Sequence, residues 1–481
     1  MIRLLVILHR WFGMVLCLFF AMWFATGAVM MYVPFPYLSQ SEVLQLSQRI
    51  DSSQLRSLAE LVESTGLQTV DEIRIRSFDG RPLLIIGSRN KQLVAHFADT
   101  GERLAKINEI EAARIAEEFA DNPARGVEGP IDYDQWVVHQ QFDTNRPLYR
   151  VSMDDQAASQ LYVSQSTGEV VQRTSREQRL WNYAGAVLHW IYPTVIRRDW
   201  QLWDRLVWWL ALAGIVGALS GMVLGVQRLR RLGPDNRVGS PFAGWFKLHH
   251  VLGLFFGVFV STWIFSGWLS MDHGRLFSVP YPSDQQVQHY QGISLMQALR
   301  GISDISLEVF DNAAEIDISA IDGKPLLVAR NSEGTEAYVK GASEQLIPLP
   351  PTVVASAIAS AWPDFAIVDQ HAIHPTDVYG NLREGSLGPA VVRFVLNDVD
   401  ETWIHVDMAS GRIMSVMDRS RRSYRWFYNG LHSLDIPGLV ERRPLWDVVM
   451  LCLLLGGFAF SVTAAVIAYR RLLLSIRRHV T

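Results

Sequence analysis

Four uncharged apolar runs constrain this 481-residue chain more than any other feature: Trp11 to Val33, Leu206 to Val226, Val251 to Met271 and Val448 to Tyr469. About 20 apolar residues rising ~1.5 Å each cover the ~30 Å hydrocarbon layer of a bilayer. Each run is long enough to do so. A helix in a soluble core seldom stays free of charge over such a length. Trp11, Tyr32, Trp203, Trp208, Trp245 and Tyr469 cluster at the run ends, where amphipathic rings sit at headgroup level. The first run exceeds the apolar core of a signal peptide, and no small-x-small site follows it before Pro34, so it is expected to remain as a first membrane helix.

Charge orients the spans. The N-terminal stub, the loop from Arg228 to Lys247 and the tail from Arg470 hold 11 basic residues and one acid, Asp235. Basic residues in short segments mark the cytoplasmic side, so both termini are expected there and both long connections outside. The rest of the chain keeps 33 of the 44 basic and 47 of the 48 acidic residues, a net charge of −14 with His neutral. An acidic exterior of that size excludes nucleic acid as a partner. The two cysteines, Cys17 and Cys452, both lie inside apolar runs. The outer domains are therefore expected without disulfides, thiol catalysis or cysteine-ligated clusters.

Internal spacing sets the architecture. Leu8-His9, Gly13, Trp23 and Gly27 recur 240 residues on as Leu248-His249, Gly253, Trp263 and Gly267. At an offset of 243, Asp79-Gly80-Arg81-Pro82-Leu83-Leu84 matches Asp322-Gly323-Lys324-Pro325-Leu326-Leu327, Leu188-His189 matches Leu431-His432, and Leu202-Trp203-Asp204 matches Leu445-Trp446-Asp447. The expectation is a tandem duplication of a unit made of span, outer domain and span, the two copies related by a pseudo-two-fold axis along the membrane normal. Within the first outer segment, 3.6-residue periodicity covers Leu55 to Glu63 and Ile107 to Ala120. Short strands are expected at Glu72 to Arg76, Pro82 to Gly87, Leu93 to Ala98, Tyr149 to Met153 and Leu161 to Ser164. This predicts two small helix-plus-antiparallel-sheet folds per segment, four in all.

The stretch Leu161-Tyr-Val-Ser-Gln-Ser-Thr-Gly-Glu-Val-Val171 resembles the end of a PepSY domain, and Leu8-His9-Arg10-Trp11-Phe12-Gly13 resembles the first helix of the PepSY-associated transmembrane family. The likeness covers nearly the whole chain. That family includes PiuB-like iron-regulated membrane proteins and FoxB-like inner-membrane ferric-siderophore reductases, which hold b-type haems between their helices. The expected fold class is thus a membrane α-helical protein of four transmembrane helices with α+β PepSY-like extracytoplasmic domains and a tandem internal duplication. The expected layout is a transmembrane helix at 4–33, a PepSY-like pair at 34–180, an outer interfacial helix with the second span at 181–227 and a cytoplasmic loop at 228–245. The third span follows at 246–271, a second PepSY-like pair at 272–423, an interfacial helix with the fourth span at 424–471 and a cytoplasmic tail at 472–481.

Four of the 13 histidines occupy offset-related places. His9 and His249 precede their runs at the cytoplasmic edge; His189 and His432 each stand 15 residues before the Asp that introduces an outward-starting span. Ionisable groups at such depths usually face the bundle interior. His9 and His189 are separated by ~30 Å of hydrocarbon and cannot share a metal, whereas offset-related histidines lie at equal depth. A haem iron takes one imidazole on each face. Two bis-histidine haems are therefore expected, His9 with His249 and His189 with His432, and the resemblance implies the same positions. The bland alternative is that interfacial histidines anchor helices at the headgroups. His250, beside His249, and His273, just past the third span, are further candidate ligands. Arg10 and Lys247 inside, and Arg197, Arg198, Arg442 and Arg443 outside, are candidate partners of haem propionates. Trp23 and Trp263 stand near mid-membrane, where packing is the simpler role than electron passage. His371-Ala-Ile-His374 has the spacing of a metal pair without a third ligand nearby. No Cys-x-x-Cys-His occurs, so non-covalent haem b is expected.

No Walker motif, dinucleotide fingerprint or nucleophile elbow is present, so electrons must come from a quinol or a cytoplasmic reductase. The leading expectation is a di-haem conduit in the bacterial inner membrane that reduces ferric siderophores or other ferric chelates outside. The alternative is a PepSY-domain binding or regulatory protein acting on peptides or a peptidase. A permease is disfavoured, because the spans carry no acidic residue in their cores.

Overall fold

A computed structural model describes residues 2–55, 58–65, 70–87, 92–232, 237–271, 276–302, 310, 312–341, 345–382 and 385–480. The four apolar runs form long helices at Ile2–Met30, Trp200–Gln227, Gly244–Ser270 and Leu445–Val480. All four are long and apolar enough to cross a membrane. Asp199 caps the second by accepting from the backbone N–H of Leu202, a first-turn donor that would otherwise be bare. The helices pack as a ring, the first against the second and fourth, the third likewise. The first and third therefore face each other across the bundle. Its core is Leu16, Phe20 and Phe24 from the first helix, Val260, Trp263 and Ile264 from the third, and Trp446, Met450 and Leu454 from the fourth. Close approach depends on small residues: a Cβ on Gly457 would stand 2.8 Å from the Phe24 ring.

At the end of the bundle where the first helix finishes and the second starts lie three large sheets. One has four strands in the order Ala124–Ile131, Leu148–Met153, Gln160–Ser164 and Val170–Thr174. Another runs Ile367–Ala372, Val391–Leu396, Trp403–Asp407 and Arg412–Met417. The third differs from expectation. Glu72–Phe78 pairs antiparallel with Glu315–Ile321, with Ile73 opposite Ile318 and Ile75 opposite Ile316. That pairing joins what were predicted as two separate folds into one seven-stranded sheet. The physical reason is that each strand would otherwise present a bare edge of N–H and C=O groups. One core lies against the join, drawing Ile50, Val62 and Ile73 from the first segment and Leu299, Phe310 and Leu327 from the second. Polar contacts cross it as well: Arg76 Nε donates to Glu315 at 2.6 Å and Arg49 Nη1 to Asn312 Oδ1 at 3.0 Å. A hairpin of Arg230–Leu232 and Arg237–Gly239 occupies the connection expected to be a plain loop.

In the Trp403 sheet a buried polar network replaces apolar packing. Arg393 donates to His405 Nε2 at 2.9 Å and to Asp377 at 2.8 Å, while His405 Nδ1 lies 2.7 Å from the Ser415 hydroxyl. Since the guanidinium can only donate, His405 must be neutral with Nε2 accepting. Burial, then the Arg393 charge, lower its pKa from the ordinary 6.5 to about 3, with His371 adding to the shift and Asp377 opposing it. An unfolded chain protonates this ring near 6.5, so its stabilising effect is complete above that pH and is lost as pH falls toward 3. We expect acidification from pH 6.5 to 5 to remove roughly 2 kcal/mol through His405 alone. Thermal unfolding of the wild type should therefore fall more steeply over that interval than that of His405→Gln; parallel slopes would refute the assignment.

Candidate haem sites between the helices

His9 sits on the first helix and His249 on the third, the pair that face each other across the ring. Their ring centres are 6.2 Å apart with planes at 37°. At the other end, His189 and His432 have ring centres 6.3 Å apart and planes at 80°. Two metal–nitrogen bonds of about 2.0 Å, each extended by about 1.1 Å from nitrogen to ring centre, require a separation of roughly 6.2 Å. Both pairs stand at the spacing of two imidazoles on one iron.

The hydrogen bonds decide which nitrogen is free. His9 Nδ1 lies 3.0 Å from the Gly217 carbonyl, which can only accept. His189 Nδ1 lies 3.0 Å from Thr26 Oγ1, whose proton goes to the Met22 carbonyl at 2.8 Å. His432 Nδ1 meets Ser266 Oγ at 3.0 Å, and that hydroxyl donates to Trp263 O. His249 Nδ1 meets Thr463 Oγ1 at 2.9 Å, and that hydroxyl donates to Phe460 O. Every acceptor has its own proton already committed or has none, so each Nδ1 carries the hydrogen and each Nε2 keeps its lone pair. Tying one ring nitrogen so that the other can ligate is the usual support of a metal-bound imidazole.

The local backbone is shaped for these rings. His189 and His432 each come just after a widened π turn, at Tyr183–Val187 and Trp426–Gly430. Such turns insert a residue and re-aim the side chains C-terminal to it. Arg425 bonds to Asp435 at 2.9 Å and to the Val378 carbonyl at 2.9 Å, fastening an outer-domain loop to the His432 segment. Trp23 Nε1 donates to the His189 carbonyl at 2.9 Å. Glycines leave room for the imidazoles. A Cβ on Gly27 would lie 3.6 Å from His189 Cε1, one on Gly267 3.7 Å from His432 Cε1, and one on Gly221 only 2.5 Å from His9 Cε1. Beside His9 and His249 a cavity of about 420 Å³ opens within the bundle. Phe460, stacked on His249 with ring centres 4.7 Å apart, forms part of its wall. An apolar cavity with two free nitrogen donors fits a flat iron macrocycle.

The other candidates separate. His250 uses both nitrogens, Nδ1 with Ser240 Oγ and Nε2 with Gly225 O, each at 2.8 Å. It holds the second helix to the third and has no free lone pair. His273 lies outside the described residues. Arg10 lines the cavity, whereas Lys247 is exposed and does not. In its place stand Arg228 and Arg471. At the other end Arg443 pairs with Asp447, Arg197 is buried between Tyr192 and Trp203, and Arg198 and Arg442 are exposed. Trp263 packs on Phe24 and Trp23 on Phe20, between the two histidine pairs. His371 and His374 turn to Asp369 and Thr376, and no group of three metal-binding side chains occurs among the described residues. Thr26, Ser266 and Thr463 are supporting residues that motif reading passes over. Their signal is the spacing itself, since Thr26 and Ser266 are 240 residues apart and Ser220 and Thr463 are 243 apart.

A ring of four membrane-length helices, with large mixed α and β domains at one end, defines a multi-pass membrane protein. The chain belongs to the PepSY-associated TM region family, whose model matches residues 6–471. No match was found among proteins with curated descriptions.

Proposed function

We propose that this chain is a tandemly duplicated, di-haem electron-transfer protein of a bacterial inner membrane that reduces ferric siderophores or other ferric chelates outside. The observation that carries the reading is the pair of imidazole separations, 6.2 and 6.3 Å, with all four Nδ1 atoms already bonded. A haem held by two imidazoles passes one electron at a time and leaves no coordination position for oxygen.

The chain's part is positional. His9 and His249 would hold one haem b, and His189 and His432 the other. His9 and Thr26, which supports His189, are 17 residues apart on one helix, so the two sites lie roughly 25 Å apart along the axis. Phe20, Phe24 and Trp263 fill the space between and exclude water. The basic bias of the short segments puts both termini in the cytoplasm and the PepSY-like domains in the periplasm. Electrons would then enter at His9 and His249 from a quinol or a cytoplasmic reductase and leave at His189 and His432. Each ferric ion that accepts one electron leaves as ferrous iron, with no general acid or base needed.

The test uses the purified full-length protein, its haems reduced with dithionite and the excess removed. Adding ferric siderophores should reoxidise both haems while a ferrous chelator traps an equal amount of iron. If the haems stay reduced with every ferric chelate, the acceptor is something else. A folded chain that carries no haem leaves the binding or regulatory role.

A further inference from the structure

Three arginines rim the cavity beside His9 and His249: Arg10 from the first helix, Arg228 at the end of the second and Arg471 from the fourth. Among the described residues, no Asp or Glu lines it. None of the three has an acidic partner among the described residues, and Arg10 Nε is buried without a hydrogen bond. Several other arginines do have an acidic partner, while Arg197 Nε shares the lack of a hydrogen bond but lies against the Tyr192 and Trp203 rings. Arg425 is paired with Asp435, Arg393 with Asp377 and Arg443 with Asp447. A buried guanidinium N–H without an acceptor costs free energy, and like charges converging on one mouth repel. Both costs are relieved by an anion at the mouth. The cavity walls behind it are apolar, with Leu16, Phe20, Val260 and Phe460 among them. The space therefore suits a ligand with a flat apolar body and more than one anionic group at a single edge.

Resting on the di-haem reading, we propose that Arg10, Arg228 and Arg471 bind the two propionates of the haem held by His9 and His249. That haem then lies with its carboxylate edge toward the end of the bundle that carries both termini. Guanidinium–carboxylate bonds are short, charge-assisted and often bidentate, and three donors from three helices make the macrocycle a clasp on the ring. Lys247, the cation that sequence position alone suggested, takes no part. The three fixed positive charges favour the ferrous over the ferric state through the balance of charge at the iron, so the two haems differ in potential.

The experiment compares wild type with Arg228→Gln, Arg471→Gln and their double variant, and uses Arg228→Lys to keep the charge. In a redox titration of the full-length protein, the double variant should show one haem shifted to lower potential and the other unmoved, with Arg228→Lys close to wild type. Apoprotein made in the His189→Ala background, which keeps only this site, is then loaded with haem b or with its dimethyl ester. The unsubstituted arginines should prefer haem b by about tenfold to a hundredfold, and the double variant should lose that preference. Unchanged potentials in a haem-bearing double variant, or equal uptake of the ester by the intact site, overturn this proposal alone. A wild type that holds no haem overturns the di-haem reading and this proposal with it.

Discussion

His9→Ala is expected to lose one haem and keep the other, so that haem absorbance falls to about half of the wild-type value. The ring it removes is one of two at 6.2 Å, and its partner cannot recruit a substitute. His250 is the nearest other imidazole in sequence to His249, but both of its nitrogens are bonded at 2.8 Å. Freeing it would break the contacts to Ser240 and Gly225 that join the second helix to the third. His250→Ala is accordingly expected to retain both haems. His189→Ala should lose the opposite haem, and the loss can be assigned by spectroscopy. The imidazole planes are turned by 37° at one site and 80° at the other. Nearly perpendicular planes give a more anisotropic low-spin ferric signal than less rotated ones. His9→Ala should remove the less anisotropic signal and His189→Ala the more anisotropic one. Loss of both haems from either variant, or of neither, would show that the pairing is wrong.

Gly221→Ala should remove the same haem as His9→Ala although it touches no ligand atom in sequence. The added methyl carbon would stand 2.5 Å from His9 Cε1 and 2.7 Å from Nδ1. The ring has to swing away, and in doing so gives up the 3.0 Å bond to Gly217 O that holds its tautomer. Disturbing such a supporting bond typically weakens a metal site about 10- to 100-fold. The helix itself gains, since Ala is favoured over Gly in a helix interior by about 1 kcal/mol, so a fall in haem content would not reflect unfolding. The haem at His189 and His432 is the internal control, because Gly221 packs on His9 at the other end of the bundle. Two full haems in Gly221→Ala would mean that His9 is not held as described.

Much of this arrangement was legible along the chain. Apolar runs of bilayer length have one stable outcome, a helix whose backbone bonds are satisfied within itself, and all four predicted runs are helices. The strand predictions in the first segment also hold, because alternation around turn signals such as Asp79-Gly80 and Thr100-Gly101 is local: Glu72–Phe78, Arg81–Gly87 and Val94–Phe97 form where expected. The histidine pairing followed from equal depth, which numbering alone supplies. The choice between His249 and His250 did not, because it depends on which face of the third helix meets the ring and on Ser240 and Gly225 arriving from elsewhere.

Sequence by itself determined the local and the periodic: where helices start, how long they are, which histidines share a depth and which short segments are basic. Each of these is a property of a few neighbouring residues or of a constant offset. Tertiary structure alone decided what depends on contacts between distant segments. The Glu72–Phe78 and Glu315–Ile321 strands close on each other because two bare edges met. Thr26, Ser266, Thr463 and the Gly217 carbonyl fix the four tautomers because the ring of helices brings them within 3.0 Å of the imidazoles. Arg228 and Arg471, rather than Lys247, reach the cavity because a helix turns ~100° per residue, so the direction of a side chain is set only once its helix has been packed.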